Sequence, residues 1–263
     1  MDLGLHGKIA LVCASSKGLG KAVAVSLAGE GAKVAICARN RQTLESAAEE
    51  IQTKTKGEVL AMTTDLTDPD QSAALVDAVI QKWKTVHILV NNAGGPPTGP
   101  FENHAMDRWQ AAVELNFMSA VRMCALVIPH MKRQRWGRII NITSIAAKQP
   151  VDGLILSNAV RAGVLGLGKS LANELGPYNV LVNNVCPGYT RTDRVVDLAS
   201  VEAERQKKPI AEIYGVWERL IPLGRTAAPE EFAALVAFLA SEKASYITGT
   251  TIPIDGGYIK GLC

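Results

Sequence analysis

Short apolar runs alternate with longer segments of helical period from one end of the chain to the other. Ile9-Ala10-Leu11-Val12-Cys13 has no polar interruption and reads as a strand buried on both faces, followed by a helix from about Leu19 to Glu30. Lys33–Ala38 and Glu58–Thr63 repeat the strand pattern, with a helix from Arg41 to Lys54 between them. The next helix opens at Asp68-Pro69-Asp70, where a capping carboxylate precedes a first-turn proline. His87–Asn91 and Arg138–Ile142 predict the fourth and fifth strands, separated by a Gly/Pro-rich loop (Gly94 to Pro100) and a long helix from about Asp107. A helix from roughly Gly153 to Leu175 leads into Val180–Val185, and Thr251–Asp255 closes the series. Repeated strand–helix units with short links predict an α/β fold, a doubly wound parallel sheet of about seven strands with helices on both faces.

No linker or repeat interrupts this rhythm, so residues 1–263 read as a single domain. The stretch from Asp193 to Leu220 departs from it. It is polar and long, and contains Lys207-Lys208-Pro209, which suits either a substrate lid at about 193–220 or a surface helical hairpin with no role.

Composition narrows the function classes. A hydrophobic fraction of 48% with only 5% aromatics suits a core of Val, Ile, Leu and Ala. The net charge of +3 is small, and the densest basic stretch, Lys132 to Arg138, falls where a helix should end. Nucleic acid is therefore not an expected partner. The first residues lack the apolar stretch of a signal peptide, and no run is read as long enough to span a membrane. Cys13, Cys37, Cys124 and Cys186 sit in or beside apolar segments without CxxC spacing, Cys263 ends the chain, and a reduced, cytoplasmic setting is the expectation. The four histidines are scattered, so no metal site is expected; His87 reads as structural, and His104 is a weak candidate for the cleft.

The first strand runs into Ala14-Ser15-Ser16-Lys17-Gly18-Leu19-Gly20. Glycines in a strand-to-helix turn let the backbone approach a pyrophosphate, which then rests on the positive end of the helix. After the second strand the chain carries Ala38-Arg39-Asn40-Arg41 where an NAD site would place a carboxylate. Arg39, with Lys17, can grip a 2′-phosphate, so NADP(H) is the expected cofactor, the alternative being an ordinary basic loop.

With these residues assembled, the chain resembles the short-chain dehydrogenase/reductase family over nearly its whole length, and most closely its 3-oxoacyl-carrier-protein reductase-like members. The resemblance implies a Rossmann-type fold. The family pattern TGxxxGxG corresponds to Cys13 through Gly20, with Ala14 in place of the first glycine. The resemblance implies cofactor contacts from Ala14, Ser16, Lys17, Gly18, Leu19 and Gly20, from Asp65-Leu66, and from Asn92-Ala93-Gly94 of the Asn91-Asn92-Ala93-Gly94 motif. It adds Pro187, Gly188, Thr190 and Thr192 from a PGxxxT motif, and Asn116 as organiser of a proton-relay water. Ile221 to Arg225, Pro229-Glu230-Glu231 and Ile254 to Gly257 match its C-terminal signatures. It also implies homodimers or homotetramers built through the helix carrying Ala159, Ala162, Gly163, Gly166 and Gly168 and the long helix before it.

The catalytic motif departs from the pattern. Ser144 matches the family serine, but where the family places YxxxK this chain has Ser157 and Arg161, with Ala162-Gly163 and Leu171 to Leu175 holding the register. By resemblance Arg161 also meets the nicotinamide ribose. A serine is a far weaker acid than a phenol and far shorter, although it leaves space for water. Tyr189, beside the Pro187-Gly188 turn, and Lys148 are the other groups able to approach the pocket. Two readings stay open: an NADP(H)-dependent oxidoreductase acting on a carbonyl or alcohol of an apolar or amphipathic small molecule, with water, Arg161 or the substrate as acid; or a catalytically inactive NADP-binding sensor or scaffold. Seven apolar lid residues, Val195, Val196, Leu198, Ile210, Ile213, Tyr214 and Trp217, suggest the character of the substrate. Ser157 and Arg161 also admit a simpler reading as helix-surface neighbours.

Overall fold

The computed structural model describes residues 1–262, so Cys263 lies outside the described residues. In chain order the elements are β1 (Ile9–Val12), α1 (Gly18–Gly29), β2 (Lys33–Ala38), α2 (Arg41–Thr55), β3 (Val59–Thr63), α3 (Pro69–Trp83) and β4 (Ile88–Asn91). They continue with α4 (Met106–Val113), α5 (Ser119–Gln134), β5 (Gly137–Ile142), α6 (Ile155–Leu175), β6 (Val180–Pro187), α7 (Asp193–Gln206), α8 (Ile210–Leu220), α9 (Pro229–Ala240) and β7 (Thr251–Ile254). All seven strands pair in parallel, in the order β3-β2-β1-β4-β5-β6-β7. The order reverses direction between β1 and β4, and the crevice at the carboxyl ends of those strands is where such sheets bind ligands.

Alternation along each strand explains the layers. Ala10 and Val12 face one side with α1, α2 and α9, while Ile9, Leu11 and Cys13 face the other with α3, α5 and α6. Both faces are covered, which is why β1 and β4 carry near-continuous apolar runs. The cap foreseen at Asp68 is present, its Oδ1 accepting from the backbone N–H of Asp70 and Gln71. His87 Nδ1 accepts from Ile9 N at 3.0 Å, and the ring meets Trp136 edge-on, a structural role. Burial, reinforced by Lys8, lowers its pKa from the ordinary 6.5 to about 4.

Several elements differ from the sequence expectations. The sequence shows little helical period over α9 because Phe232 to Ala240 is apolar throughout, although only the face carrying Phe232, Val236 and Leu239 is buried. The long helix begins at Met106 and passes through five residues of wider π-helical winding, Glu114–Met118, before α5. Residues Met106–Gln134 thus form a continuous segment of 29 residues, long and apolar enough by length and composition to cross a membrane, which corrects the reading that no run reaches that length. Its inner face instead packs on the sheet through Met123, Cys124, Val127 and Met131. The basic stretch after it is dispersed: Arg138 is buried under Trp136 with its Nε donating to Ser241 O, and Arg135 caps α5.

Residues 193–220 form two helices, α7 and α8, packed on each other through Ala199, Ala203 and Ile213 with Tyr214 and Trp217 alongside. Of the seven apolar residues noted in this stretch, Val195 and Leu198 line the cleft, whereas Val196 and Ile210 are exposed.

Candidate active site

One continuous cleft of ≈ 890 Å³ runs along the carboxyl edge of the sheet, bordered by the loops after β1, β2, β4, β5 and β6 and by the first turns of α7. At one end lies the glycine turn. Gly18 sits at φ +56°, a left-handed conformation that favours glycine, and a Cβ on Gly20 would come within 2.5 Å of Ala14 O and 2.8 Å of Asn92 Nδ2. Lys17 at the N-cap of α1 makes no side-chain cap bond, so the first-turn N–H groups of that helix are open to an anion. Ala14 itself has φ +46°, a strained backbone for a residue with a Cβ.

Ser16, Lys17, Leu19, Arg39, Asn40, Thr43, Asp65 and Leu66 continue the wall. Arg39 is exposed, and Lys17 Nζ lies 3.1 Å from Asp193 Oδ2 across the mouth, tying the glycine turn to α7. Asp65 Oδ1 accepts from Thr67 N and Oγ1, which fixes its carboxylate. A turn with room only for glycine at position 20 and free helix N–H groups fit a dinucleotide's pyrophosphate, and an arginine beyond β2 fits a 2′-phosphate on its adenosine ribose.

Beyond that turn, Ser144, Ser157, Arg161, Pro187, Gly188 and Thr190 line the same cleft with Ala93 and Gly94, while Thr192 stands against the glycine turn, 3.5 Å from where a Cβ on Gly18 would lie. Ser144 follows β5 and caps a short turn, its Oγ accepting from Ala146 N at 3.1 Å. That bond leaves the hydroxyl hydrogen free to donate into the cleft. Ser157 and Arg161 stand one helical turn apart on α6, and both are buried, which excludes the helix-surface reading. A Cβ on Gly188 would stand 2.7 Å from Asp255 Cα, so this turn packs directly on the end of β7.

The Arg161 guanidinium is held by four backbone carbonyls: Nη1 donates to Ile142 O at 3.2 Å and Thr143 O at 3.0 Å, and Nη2 to Ala93 O at 3.3 Å and Gly94 O at 3.4 Å. It therefore staples the end of β5 to the loop after β4, and only its Nε hydrogen is left for another partner. Burial, and secondarily the nearby Arg194, lower its pKa to about 10, so it stays charged at neutral pH.

Two expected residues do not line the main cleft. Gly20 lies behind the turn it shapes, and Asn116 faces a smaller cavity behind the cleft, which Asn91, Asn92, Asn141 and Arg161 also line. Asn116, in the π-helical turn, donates to Gly94 O at 2.8 Å, while its Oδ1 is buried without a partner. The unpartnered Oδ1 of Asn91 is the acceptor end of an amide ladder across four in-register strands. Asn91 Nδ2 donates to Asn141 Oδ1, Asn141 Nδ2 to Asn184 Oδ1, and Asn184 Nδ2 to Thr251 Oγ1. Two orphaned acceptors beside a guanidinium make this a polar cavity suited to water.

Tyr189 is not a cleft residue. It stacks on Trp217 with ring centroids 4.5 Å apart, and burial together with Tyr258 pushes its hydroxyl well above the ordinary phenol range. Neither Lys148 nor His104 lines the cleft. The residue missed from the sequence is Arg194, at the start of α7, whose Nη2 donates to Pro96 O at 2.8 Å.

The comparisons agree with this geometry. A family model described as "Enoyl-(Acyl carrier protein) reductase" matches residues 13–259. The 3-oxoacyl-[acyl-carrier-protein] reductase of Aquifex aeolicus is 35% identical over 257 residues, covering 98% of this chain and 99% of its own. That of Vibrio cholerae is 36% identical over 255 residues, covering 97% and 98%. Among solved structures, L-sorbose reductase from Gluconobacter frateurii complexed with NADPH and L-sorbose superposes with a TM-score of 0.95 at 33% identity, covering 100% of both chains.

Proposed function

The chain belongs to the short-chain dehydrogenase/reductase family, and on that premise we propose that it is an NADP(H)-dependent oxidoreductase interconverting a carbonyl and an alcohol on a small molecule. The observation that carries this reading is the continuity of the cleft. A phosphate-ready turn with Arg39 beyond it opens without a barrier onto Ser144, Ser157 and Arg161. Structural neighbours described as NADPH complexes support the choice of cofactor.

The nicotinamide, when bound, supplies a hydride to the carbonyl carbon in reduction and accepts it in the reverse direction. The chain's own residues must then bring one proton to the oxygen and stabilise its developing negative charge. Ser144 donates a hydrogen bond to that oxygen, its hydroxyl already turned by the bond from Ala146 N. Ser157 is too short to take the role of a phenol, and the space beside it admits water as the proton source. The buried charge of Arg161 favours that water's deprotonated form. Arg161 also positions the loop from Ala93 to Gly94. The cavity that Asn116 lines, with the unpartnered Asn116 Oδ1, would hold a water able to pass a proton toward the site.

One observation favours the alternative, a catalytically inactive NADP-binding sensor or scaffold. Arg161 has both Nη groups engaged by backbone carbonyls, as a purely structural residue would. Steady NADPH consumption with a panel of ketones, diketones and quinones separates the two: turnover supports the enzyme, and tight NADPH binding without turnover supports the sensor.

We further read residues 193–220 as a substrate lid within a single domain, with Lys17–Asp193 as its tie to the cofactor turn. A cytoplasmic homodimer or homotetramer is the expected assembly. Ala159, Ala162, Gly163 and Gly166 are exposed on α6, and Val113 and Met118 are exposed on the preceding helix. A monomer by light scattering at micromolar concentration would exclude it.

A further inference from the structure

Apart from its adenosine end, the cleft carries two guanidiniums and no free carboxylate. Arg161 and Arg194 both line it, and among the described residues neither has an acidic group within ion-pair distance. Of the acidic residues on the cleft wall, Asp193 is engaged by Lys17, and Asp65 is fixed by Thr67 at the adenosine end.

Arg194 is built into place. It reaches from the first turn of α7 across the cleft to Pro96 O, and a Cβ on Gly95 would come within 2.7 Å of its Nε, so only glycine leaves room for the guanidinium there. That single bond to Pro96 occupies one of five N–H groups, which leaves donors for a planar anion. Partial burial lowers the pKa of Arg194 against the opposing pull of Asp197 one turn along α7, and the Arg194 charge in turn lowers the pKa of Arg161. Two cations in one cleft repel, and an anion between them relieves both.

Building on the oxidoreductase reading, we propose that Arg194 recognises an anionic oxygen group and that the substrate is a carbonyl compound bearing a carboxylate. Arg194 and Ser144 line the same cleft, so that the carboxylate docks on the Arg194 fork and the carbonyl on Ser144. Val195 and Leu198, on the same helix and facing the cleft, flank the carbon chain between them. The lid aromatics contribute no such surface, since Tyr214 and Trp217 pack within the helical hairpin.

The test uses the full-length, NADPH-loaded protein and three oxo acids (2-oxobutanoate, 3-oxobutanoate and 4-oxopentanoate), each beside its methyl ester. In the wild type at least one acid should exceed its ester in kcat/KM by about tenfold or more, the scale of one charge-assisted contact. Arg194→Gln should collapse that ratio, and Arg194→Lys, which keeps the charge but not the fork, should fall between. Calorimetry with NADPH alone and with each acid reads the same residue without turnover. Loss of NADPH affinity in Arg194→Gln with the acid-to-ester ratio intact would assign the guanidinium to the cofactor phosphates and overturn the proposal. Esters equal to or better than acids in the wild type would overturn it while leaving the oxidoreductase reading standing. Acid binding abolished by Arg194→Gln, without turnover of any compound, would uphold the anion site and defeat the oxidoreductase reading instead.

Discussion

Replacing Arg161 tests whether its guanidinium holds the site together. It donates to four carbonyls that come from two different strand ends, at 3.0 to 3.4 Å. A lysine ammonium has three donors on a flexible stem and cannot bridge both ends at once. Hydrogen bonds from a charged donor are worth about 1.5–3 kcal/mol each, and the two longer ones fall at or below the low end. Losing roughly half of the set while shedding part of the guanidinium's desolvation cost gives about 2 kcal/mol for Arg161→Lys. Arg161→Met leaves all four acceptors buried without a charged donor and should cost about 4 kcal/mol. Urea denaturation monitored by tryptophan fluorescence, with and without NADPH, reads both values, and NADPH should protect the variants less than the wild type. If Arg161→Met unfolds within about 0.5 kcal/mol of the wild type, the range of an inconsequential surface change, the staple is not an energetic feature. The series also qualifies a restoration experiment. Ser157→Tyr with Arg161→Lys should raise reduction of an activated ketone by about 10²–10⁴-fold, the usual contribution of a general acid. The same double variant should melt lower than the wild type.

Three further outcomes are expected. Ala14→Gly relieves a residue held at φ +46° and should stabilise the protein by about 0.5–1 kcal/mol, net of glycine's greater unfolded-state entropy, and tighten NADPH binding; an unchanged melting temperature would refute the strain. Arg39→Asp should erase or reverse a preference for NADPH over NADH, a change of about 1.5–3 kcal/mol read from the two dissociation constants. His87 has a folded-state pKa of about 4, below its ordinary 6.5, so the unfolded chain binds the extra proton between those values. Its stabilisation is complete above pH 6.5 and is lost as pH falls toward 4. After allowance for solvent screening of a half-buried ring, it amounts to about 1–2 kcal/mol, and His87→Gln should flatten that part of the urea-midpoint profile.

The strands were legible because burial on both faces leaves runs such as Ile9–Val12 and Ile88–Asn91 free of compensating pattern. The glycine turn was legible because Gly18 and Gly20 follow a strand and open a helix, which is local information. The spacing of Ser144, Ser157 and Arg161 pointed to one pocket, and these residues do line one cleft. What Arg161 does there was not legible, since its acceptors lie 18 to 68 residues away and are carbonyls that every sequence possesses. Arg194 was hidden for a related reason: in a polar stretch an arginine reads as solvated, and only the approach of α7 to Gly95 and Pro96 turns it inward. Tyr189 was misplaced as a possible acid because nothing local marks its packing against Trp217.

Hydride transfer in this cleft, which no tyrosine among the described residues lines, is tested most directly by isotope labelling. The most direct measurement supplies NADPH deuterated at nicotinamide C4, on one face and then the other, together with the carbonyl panel and the oxo acids, and locates the label by mass spectrometry. Deuterium is expected on the carbinol carbon of at least one alcohol product, from one face of the cofactor only, at a rate reduced by removing the Ser144 hydroxyl. Saturable NADPH binding with no labelled alcohol from any carbonyl would contradict it, and would make the protein an NADP-binding sensor or scaffold.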